Sequence, residues 1–117
     1  MNTQSSTSWT IEYYTDARGR SPVEEFINGL PVKDQVAIAR TLSLLEEFGV
    51  KLGSPYIAHI EGKLWELRPR GVRLLYFAYT GRRFVILHAF RKTSRKTPRK
   101  HIGTAQRRMA ELLEREG

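Results

Sequence analysis

Three short segments in the second half of the chain place the strongest limit on its fold. Leu64 to Arg68, Val72 to Tyr79 and Phe84 to Phe90 are rich in aliphatic, β-branched and aromatic residues, which favour strands. The two linkers between them, residues 69–71 and 80–83, are short and each contains a glycine. Linkers of this length join neighbouring antiparallel strands, so the sequence predicts a three-stranded antiparallel meander.

The second and third of these strands are apolar on both faces. Leu74 and Leu75 are consecutive, as are Ile86 and Leu87, and consecutive residues of a strand point to opposite faces. Such a sheet needs cover on both sides, and one helical hairpin can cover only one of them. We therefore expect a helix that follows Thr97-Pro98 to supply part of the remaining cover.

The first half of the chain predicts one strand and a helical hairpin. Trp9, Ile11 and Tyr13 alternate with polar residues, which is typical of a strand with one buried face. Ser21-Pro22, followed by Glu24, marks a helix start, because serine caps a helix and proline fits its first turn. The later elements are a second helix from about Val32 to Phe48 that Gly49 ends, an irregular connection over residues 51–63, the meander, and a last helix to about Glu116. We expect an α+β fold of order β-α-α-β-β-β-α, with a small, mostly antiparallel twisted sheet, a helical hairpin and a C-terminal helix.

The length and composition indicate one intracellular domain. We expect that domain over residues 9–117, with residues 1–8 as a flexible tail. The first residues lack both regions of a secretory signal, and no apolar run reaches membrane-spanning length. The absence of cysteine excludes disulfides, thiolate metal sites and a cysteine nucleophile. A cytoplasmic protein without membrane contact is the resulting expectation.

Positive charge is concentrated in one part of the chain. The net charge is +8, but residues 63–108 contain 14 Lys or Arg and one acid, Glu66, whereas residues 1–62 contain 5 basic and 8 acidic residues. Aromatic residues such as Trp65 and Phe84 are interleaved with these cations inside the expected strands, so the charge lies on a folded surface. This pattern predicts salt-sensitive binding to nucleic acid.

Arg68 and Arg73 lie on either side of one tight turn. If both face the same way, their guanidinium groups can bind one phosphate, for which planar, permanently charged, bidentate donors are well suited. A structural role is the alternative: Arg68 pairs with Glu66 or Glu12, and Arg73 covers apolar surface.

His88 is the histidine that falls within an expected strand. Its ordinary pKa of about 6.5 would let it both accept and donate a proton in phosphodiester chemistry, although a packed core histidine is the alternative. The histidines show no metal-ligand spacing, and Glu66 is the lone acid of the basic part, so a metal-dependent nuclease is disfavoured. A glycine-rich nucleotide-binding loop is also absent.

RNA cleavage by these residue types would use the ribose 2′-hydroxyl as the internal nucleophile. The protein would then supply positioning, charge stabilisation and proton transfer, which Arg, Lys and His can provide. Lys92 or Arg91 could neutralise charge that develops on the phosphate or the leaving oxygen. Tyr76 and Phe90 could stack on a base, although aromatic residues in a meander are commonly core.

Several segments together resemble the RelE/ParE toxin superfamily, and in particular its HigB-like branch of phage-derived proteins. The resemblance covers nearly the whole chain from about Ile11. It rests on Ile11-Glu12-Tyr13-Tyr14, Ser21-Pro22-Val23-Glu24-Glu25-Phe26, Leu44-Leu45-Glu46-Glu47-Phe48-Gly49, Leu64-Trp65-Glu66-Leu67-Arg68, Arg73-Leu74-Leu75-Tyr76-Phe77, and His88-Ala89-Phe90-Arg91-Lys92-Thr93 through Thr97-Pro98.

The resemblance implies the toxin of a type II toxin–antitoxin pair, which cleaves mRNA without a metal, often on the ribosome, and is silenced by an antitoxin. Relatives have basic residues at the positions of Arg68, Arg73 and Lys92. The usual Lys-Lys after the last strand is Arg91-Lys92 here, and His101 replaces an acid that is common at the start of the last helix. The expected catalytic residues are Arg68, Arg73, His88 and Lys92, and the expected RNA-binding residues are Arg70, Arg91, Arg95, Lys96, Tyr76 and Phe90, with no metal and no cofactor.

Two other functions remain open at this point. ParE-like members of the same superfamily poison DNA gyrase, and a non-catalytic nucleic-acid-binding module would only hold phosphates. The ribonuclease hypothesis predicts that expression arrests bacterial growth and fragments mRNA, and that Arg73→Ala removes the arrest from a folded protein. It also predicts an acidic antitoxin, with a helix-turn-helix, that covers the positive surface.

Overall fold

The computed structural model describes residues 9–117, which form a five-stranded sheet and three helices. In chain order these are β1 Thr10–Tyr13, α1 Pro22–Asn28, α2 Val32–Phe48, β2 Ile57–Glu61, β3 Leu64–Leu67, β4 Val72–Tyr79, β5 Arg83–Arg91 and α3 Arg99–Glu116, with a 3₁₀ turn at Gly49–Lys51. The α+β class and the helical hairpin are confirmed. The order differs from the expected one by a single additional strand, β2.

The strands lie in the order β1-β5-β4-β3-β2. The pairs β2–β3, β3–β4 and β4–β5 are antiparallel, which confirms the meander, and β1 runs parallel to β5. A parallel pair needs a long crossover between its strands, and α1, α2 and the antiparallel strands provide it. The sheet is therefore mostly antiparallel.

Strand β2 corrects the prediction that residues 51–63 form an irregular connection. Ile57–Glu61 pairs with β3, and Gly62-Lys63 forms the hairpin loop between Glu61 and Leu64. Gly62 has a φ of 53°, a conformation that glycine adopts without steric cost. Glu61-Gly62, which looks like a break in the sequence, is a turn that continues the meander by one strand.

The two sheet faces are covered by different helices. On one face, the α1/α2 face, Val23, Ile38 and Leu45 pack against residues that include Leu74 and Ile86. On the other, the α3 face, the helix contributes Ile102, Ala105, Met109 and Leu112 to a cluster that also contains Leu64, Leu75, Phe77, Val85 and Leu87. Each large aliphatic or aromatic side chain buried in this way contributes about 1.5–3 kcal/mol. The expected role of the last helix in covering the second face is confirmed.

The predicted ends of the helical hairpin are also observed. The Ser21 hydroxyl accepts a hydrogen bond from the Glu24 amide at 3.3 Å, and Pro22 is the first residue of α1. Helix α2 ends before Gly49, whose φ is 58°. The indole of Trp9 lies where a side chain at Gly49 would be, so glycine is required there for space as well as for backbone conformation.

A bulge in β5 determines which side chains reach the α3 face near the end of the strand. Leu75 pairs with His88, but the next residue, Tyr76, pairs with Ile86, so Leu87 is the extra residue of β5. Leu87 belongs to the α3-face cluster, and His88 lies opposite Leu75, another member of that cluster. After the bulge, His88 and Phe90 therefore face α3.

Within residues 9–117, no helix is both long enough and apolar enough to cross a membrane.

Candidate nucleic-acid interface

Glu66 is the centre of a buried polar cluster on the α3 face. Its side chain is 2% exposed. One carboxylate oxygen, Oε2, accepts a hydrogen bond from Arg68 Nε at 3.0 Å and lies 3.8 Å from Arg73 Nε. The other, Oε1, accepts a hydrogen bond from the Thr97 hydroxyl. Because a buried carboxylate without such partners is strongly destabilising, these four residues, called the Glu66 cluster below, depend on one another.

Arg73 is the more firmly held of the two arginines. Its Nη1 donates to the carbonyl oxygens of Arg70 and Val72, at 2.8 and 2.9 Å, and its side chain is 14% exposed. Burial lowers the pKa of Arg73; Glu66 opposes that shift and Arg68 adds to it. Arginine remains protonated through such a shift, so Arg73 is a fixed positive charge.

Arg68 is paired but still accessible. Only Nε faces Glu66, and the side chain is 37% exposed. Among residues 9–117, Nη1 and Nη2 of Arg68 have no hydrogen-bond partner. The alternative in which Arg68 pairs with Glu66 is therefore the one observed, yet the pairing leaves the terminal nitrogens available to an anion.

Exposed cations lie on two segments that adjoin this cluster, residues 69–71 and 92–98, called the basic loops below. The Lys92 amide donates to the Gly71 carbonyl at 2.8 Å, which joins the two segments. At the end of the second segment, Thr97 donates to Glu66. The side chains of Arg70, Lys92, Arg95 and Lys96 on these loops are exposed. The structure thus brings these four predicted residues to the sheet end where Arg68 and Arg73 lie.

Arg91 is directed to the other side of the sheet. It pairs across the strands with Val72, which packs in the α1/α2-face core, and its Nη2 lies 3.6 Å from Asp34 Oδ2 on α2. Because successive strand residues alternate, Lys92 follows on the α3 side. The two consecutive cations therefore serve different faces.

His88 does not have the free ring nitrogen that a proton-transfer role requires. Its Nε2 lies 2.8 Å from His101 Nδ1, and its Nδ1 lies 3.4 Å from Arg108 Nη1. Burial, with the positive charge of Arg108 and the nearby His101 and Arg107, lowers the pKa of His88 to about 4. This geometry is that of the alternative for His88, a packed histidine: it is a half-buried, hydrogen-bonded residue that is neutral near pH 7.

Neither of the two predicted base-stacking residues offers a free ring face. Tyr76 is 3% exposed on the α1/α2 face, with its ring edge-on to Phe84 at 5.4 Å. Burial also raises the pKa of its phenol. Phe90 is 6% exposed and is covered by His101, whose ring stacks on it at 3.9 Å with an interplanar angle of 5°. Both rings are therefore part of the core, which is the alternative to base stacking for Tyr76 and Phe90.

Among the described residues, no three His, Asp or Glu side chains are grouped closely enough to hold a metal ion.

Comparison with known proteins places the chain in a family. Residues 25–110, well over half of the chain, match the family model described as Phage derived protein Gp49-like (DUF891). The chain belongs to this family. A search of curated protein sequences gives no match. The match to the family model confirms the resemblance to the HigB-like, phage-derived branch of the RelE/ParE superfamily.

A solved structure supports the fold of this Gp49-like protein. A chain in the crystal structure of the toxin–antitoxin complex RelBE2 from Mycobacterium tuberculosis aligns with a TM-score of 0.54 and 18% sequence identity. The alignment covers 74% of the Gp49-like chain and 100% of that chain. At this identity the likeness establishes a RelE-like fold and nothing further.

Four residues of the Gp49-like site were not among the predicted site residues: Glu66, Thr97, His101 and Arg108. Glu66 carried a signal, because it is the lone acid among 14 cations and stands inside a strand. The contacts of Thr97, His101 and Arg108 join α3, or the segment before it, to strands at least 13 residues away in the chain. Such contacts have no local sequence signature.

Proposed function

We propose that this Gp49-like protein is the toxin of a type II toxin–antitoxin pair and acts as a metal-independent endoribonuclease on mRNA. The observation that supports the proposal best is the Glu66 cluster. A buried carboxylate holds two guanidinium groups by their Nε atoms, so that the terminal nitrogens of Arg68 stay open beside the basic loops. An anion can bind there without displacing the internal ion pairs.

In the proposed reaction, Arg68, Arg73 and Lys92 bind the scissile phosphate. The ribose 2′-oxygen attacks phosphorus, the bond from phosphorus to the 5′-oxygen breaks, and a 2′,3′-cyclic phosphate and a 5′-hydroxyl are formed. Overall, one proton moves from the 2′-hydroxyl to the 5′-oxygen. Negative charge builds up on the non-bridging oxygens in the transition state, and cations that are already fixed in place stabilise it best.

The exposed cations of the basic loops are proposed to bind the flanking phosphates. Arg70, Arg95 and Lys96 have no acidic partner among residues 9–117, so each can replace a counterion of the RNA. Each neutralised phosphate of a single strand adds about −0.7 to the slope of log affinity against log salt. Binding to RNA should therefore weaken steeply as salt is raised.

The proposed partners follow from the same charge. Residues 63–108, with 14 cations and one acid, are complementary in charge to an acidic antitoxin. We propose that this antitoxin is a helix-turn-helix protein. The proposed substrate is mRNA, in the cytoplasm and on the ribosome. Covering the basic loops and Arg68 would block the RNA site directly.

The test compares three forms of the protein, both induced in bacteria and purified. Wild type should arrest growth and produce mRNA fragments, and the purified protein should cleave RNA in the presence of a chelator. Arg68→Gln should lose both activities. It is a cleaner variant than the Arg73→Ala suggested by the sequence, because Arg73 also holds two backbone carbonyls. Lys51→Ala, an equal loss of charge in the turn after α2, is the matched control and should behave as wild type.

Two outcomes would contradict the ribonuclease proposal. Growth arrest with intact transcripts and DNA-damage signalling would indicate a gyrase poison. Salt-dependent RNA binding with no cleavage product would indicate a non-catalytic binding module.

A further inference from the structure

The hydrogen bonds of His88 determine where the proton of His101 lies. Arg108 Nη1 is 3.4 Å from His88 Nδ1, and a guanidinium can only donate. His88 Nδ1 is therefore the acceptor, and the His88 proton is on Nε2. That Nε2 is 2.8 Å from His101 Nδ1, which must then accept. Neutral His101 consequently carries its own proton on Nε2.

The surroundings keep this histidine pair neutral. A second proton on His101 would have to enter at Nδ1, which already faces the N–H of His88. The charged neighbours on α3 are Lys100, Arg107 and Arg108, all of them cations. Burial, followed by Lys100, lowers the pKa of His101. At pH 7 the pair thus has no net charge and a fixed direction of its N–H groups.

His101 is placed beside the proposed RNA site. Its ring stacks on Phe90, which lies opposite Arg73 in the strand register. Four residues earlier, just before α3 begins, Thr97 donates to Glu66. Within residues 9–117, every buried side-chain nitrogen and oxygen has a hydrogen-bond partner. Nε2 of His101 has no such partner among these residues, so this atom is not buried. That N–H is therefore open to solvent, on a ring that stacks over the cross-strand neighbour of Arg73.

We propose that His101 Nε2–H is a neutral, fixed hydrogen-bond donor to the RNA phosphate, and that His88 is the residue that positions it. The inference rests on the proposed function, since it names a further contact to the same substrate. It replaces the hypothesis that His88 transfers a proton. A neutral donor strengthens as charge develops on the phosphate oxygens and needs no change of protonation state.

The first test observes the imidazole nitrogens by NMR, in the free protein and with a DNA oligonucleotide, which lacks the 2′-hydroxyl and cannot be cleaved. Both His88 and His101 should be Nε2–H tautomers that stay neutral from pH 7.5 to 6. The oligonucleotide should shift the His101 Nε2–H signal, whereas His59, on β2, serves as the internal reference. An Nδ1–H tautomer of His101, protonation of either ring within this range, or an unmoved His101 signal in the bound state would each overturn the proposal.

The second test uses RNA cleavage. His101→Leu should lower kcat by about 100- to 1000-fold, the usual effect of removing one transition-state donor. His101→Gln, which keeps an N–H donor, should retain more activity. His88→Phe keeps an aromatic ring against Phe90 but should let His101 adopt both tautomers, visible in the same NMR spectra. A His101→Leu protein as active as wild type would refute the donor role. If wild type binds the oligonucleotide through His101 but cleaves no RNA, the phosphate contact stands and the ribonuclease proposal fails.

Discussion

Glu66→Gln is the substitution that best tests how the Glu66 cluster works. Glutamine has nearly the same shape as glutamate, so the packing of the α3 face is kept. Its carbonyl oxygen can still accept from Arg68 Nε, and its amide nitrogen can donate to the Thr97 hydroxyl. What is lost is the negative charge that compensates two guanidinium groups.

The expected loss of stability follows from the exposure of the two arginines. Removing one partner of a fully buried ion pair costs about 3–5 kcal/mol. Arg68 is 37% exposed and can turn towards water, so it accounts for a small part of the lost stability. Arg73 is 14% exposed and is held by two carbonyls, so it cannot turn towards water. With the remaining hydrogen bonds kept, we expect Glu66→Gln to lower the free energy of unfolding by about 2 kcal/mol. Glu66→Leu, which removes the carboxylate from the Nε groups of both arginines, should cost about 4 kcal/mol.

Urea unfolding and RNA cleavage should be measured on the same preparations. Loss of the fixed arginine orientation should lower kcat for Glu66→Gln by about tenfold, because a misplaced cation stabilises the transition state poorly. Glu61→Gln is the matched control, since Glu61 pairs with Arg99 at 2.8 Å on the exposed edge strand. Its unfolding midpoint and activity should equal those of wild type. A Glu66→Gln protein with wild-type stability and wild-type kcat would refute the role assigned to the buried carboxylate.

Three further predictions address other parts of the structure. The pKa of His88 is lowered in the folded protein, so acid favours the unfolded chain. The stabilisation from neutral His88 is present above pH 6.5 and is lost as pH falls towards about 4. Relative to His88→Phe, the free energy of unfolding of wild type should fall by about 2 kcal/mol between pH 7.5 and 5, measured by urea unfolding at each pH. Gly62→Ala should lower the free energy of unfolding by about 1 kcal/mol, for the positive φ alone. Gly49→Ala should lower it by about 2–3 kcal/mol, because the added Cβ also overlaps a tryptophan indole. Equal thermal midpoints for the two variants would contradict this. Lys92→Ala should weaken RNA binding about five- to tenfold at low salt, whereas Arg91→Ala should have little effect. A filter-binding assay in which Arg91→Ala has the larger effect would place the RNA on the α1/α2 face.

Local sequence signals predicted most of the elements because each element is built from short-range preferences. The serine cap and proline at the start of α1, and the glycine after α2, act within a few residues. Strand β2 has no such clear signal, because the glycine of its hairpin loop, Gly62-Lys63, is equally typical of an irregular break. Pairing of β1 with β5 joins residues more than 70 positions apart, and alternation within β1 shows only that one face is buried.

The residue types of the candidate site could be predicted from the sequence, but the contacts of those residues were less predictable. A run of cations around the meander indicated an anion surface, and Arg68 and Arg73 do share one face. Which cations are held internally depends on the partner that each meets in the folded chain. Arg91 meets Asp34 of α2, whereas Lys92, the next residue, has no acidic partner among residues 9–117. Propensity cannot distinguish two such neighbours.

The bulge at Leu87 connects these observations, because it determines the face on which the site is built. With strict alternation from Phe84, residues 86, 88 and 90 would all face α1 and α2, and Ala89 and Arg91 would face α3. The extra residue reverses this: Ala89 packs on the α1/α2 face, and His88 and Phe90 pack towards α3. Only after that reversal can His101 stack on Phe90, and only then does Lys92 follow on the side of Arg68 and Arg73 rather than on the side of Asp34. One additional residue in a strand thus brings the histidine pair, the Glu66 cluster and the basic loops to the same end of the same face. A strand with uninterrupted alternation could not produce this arrangement.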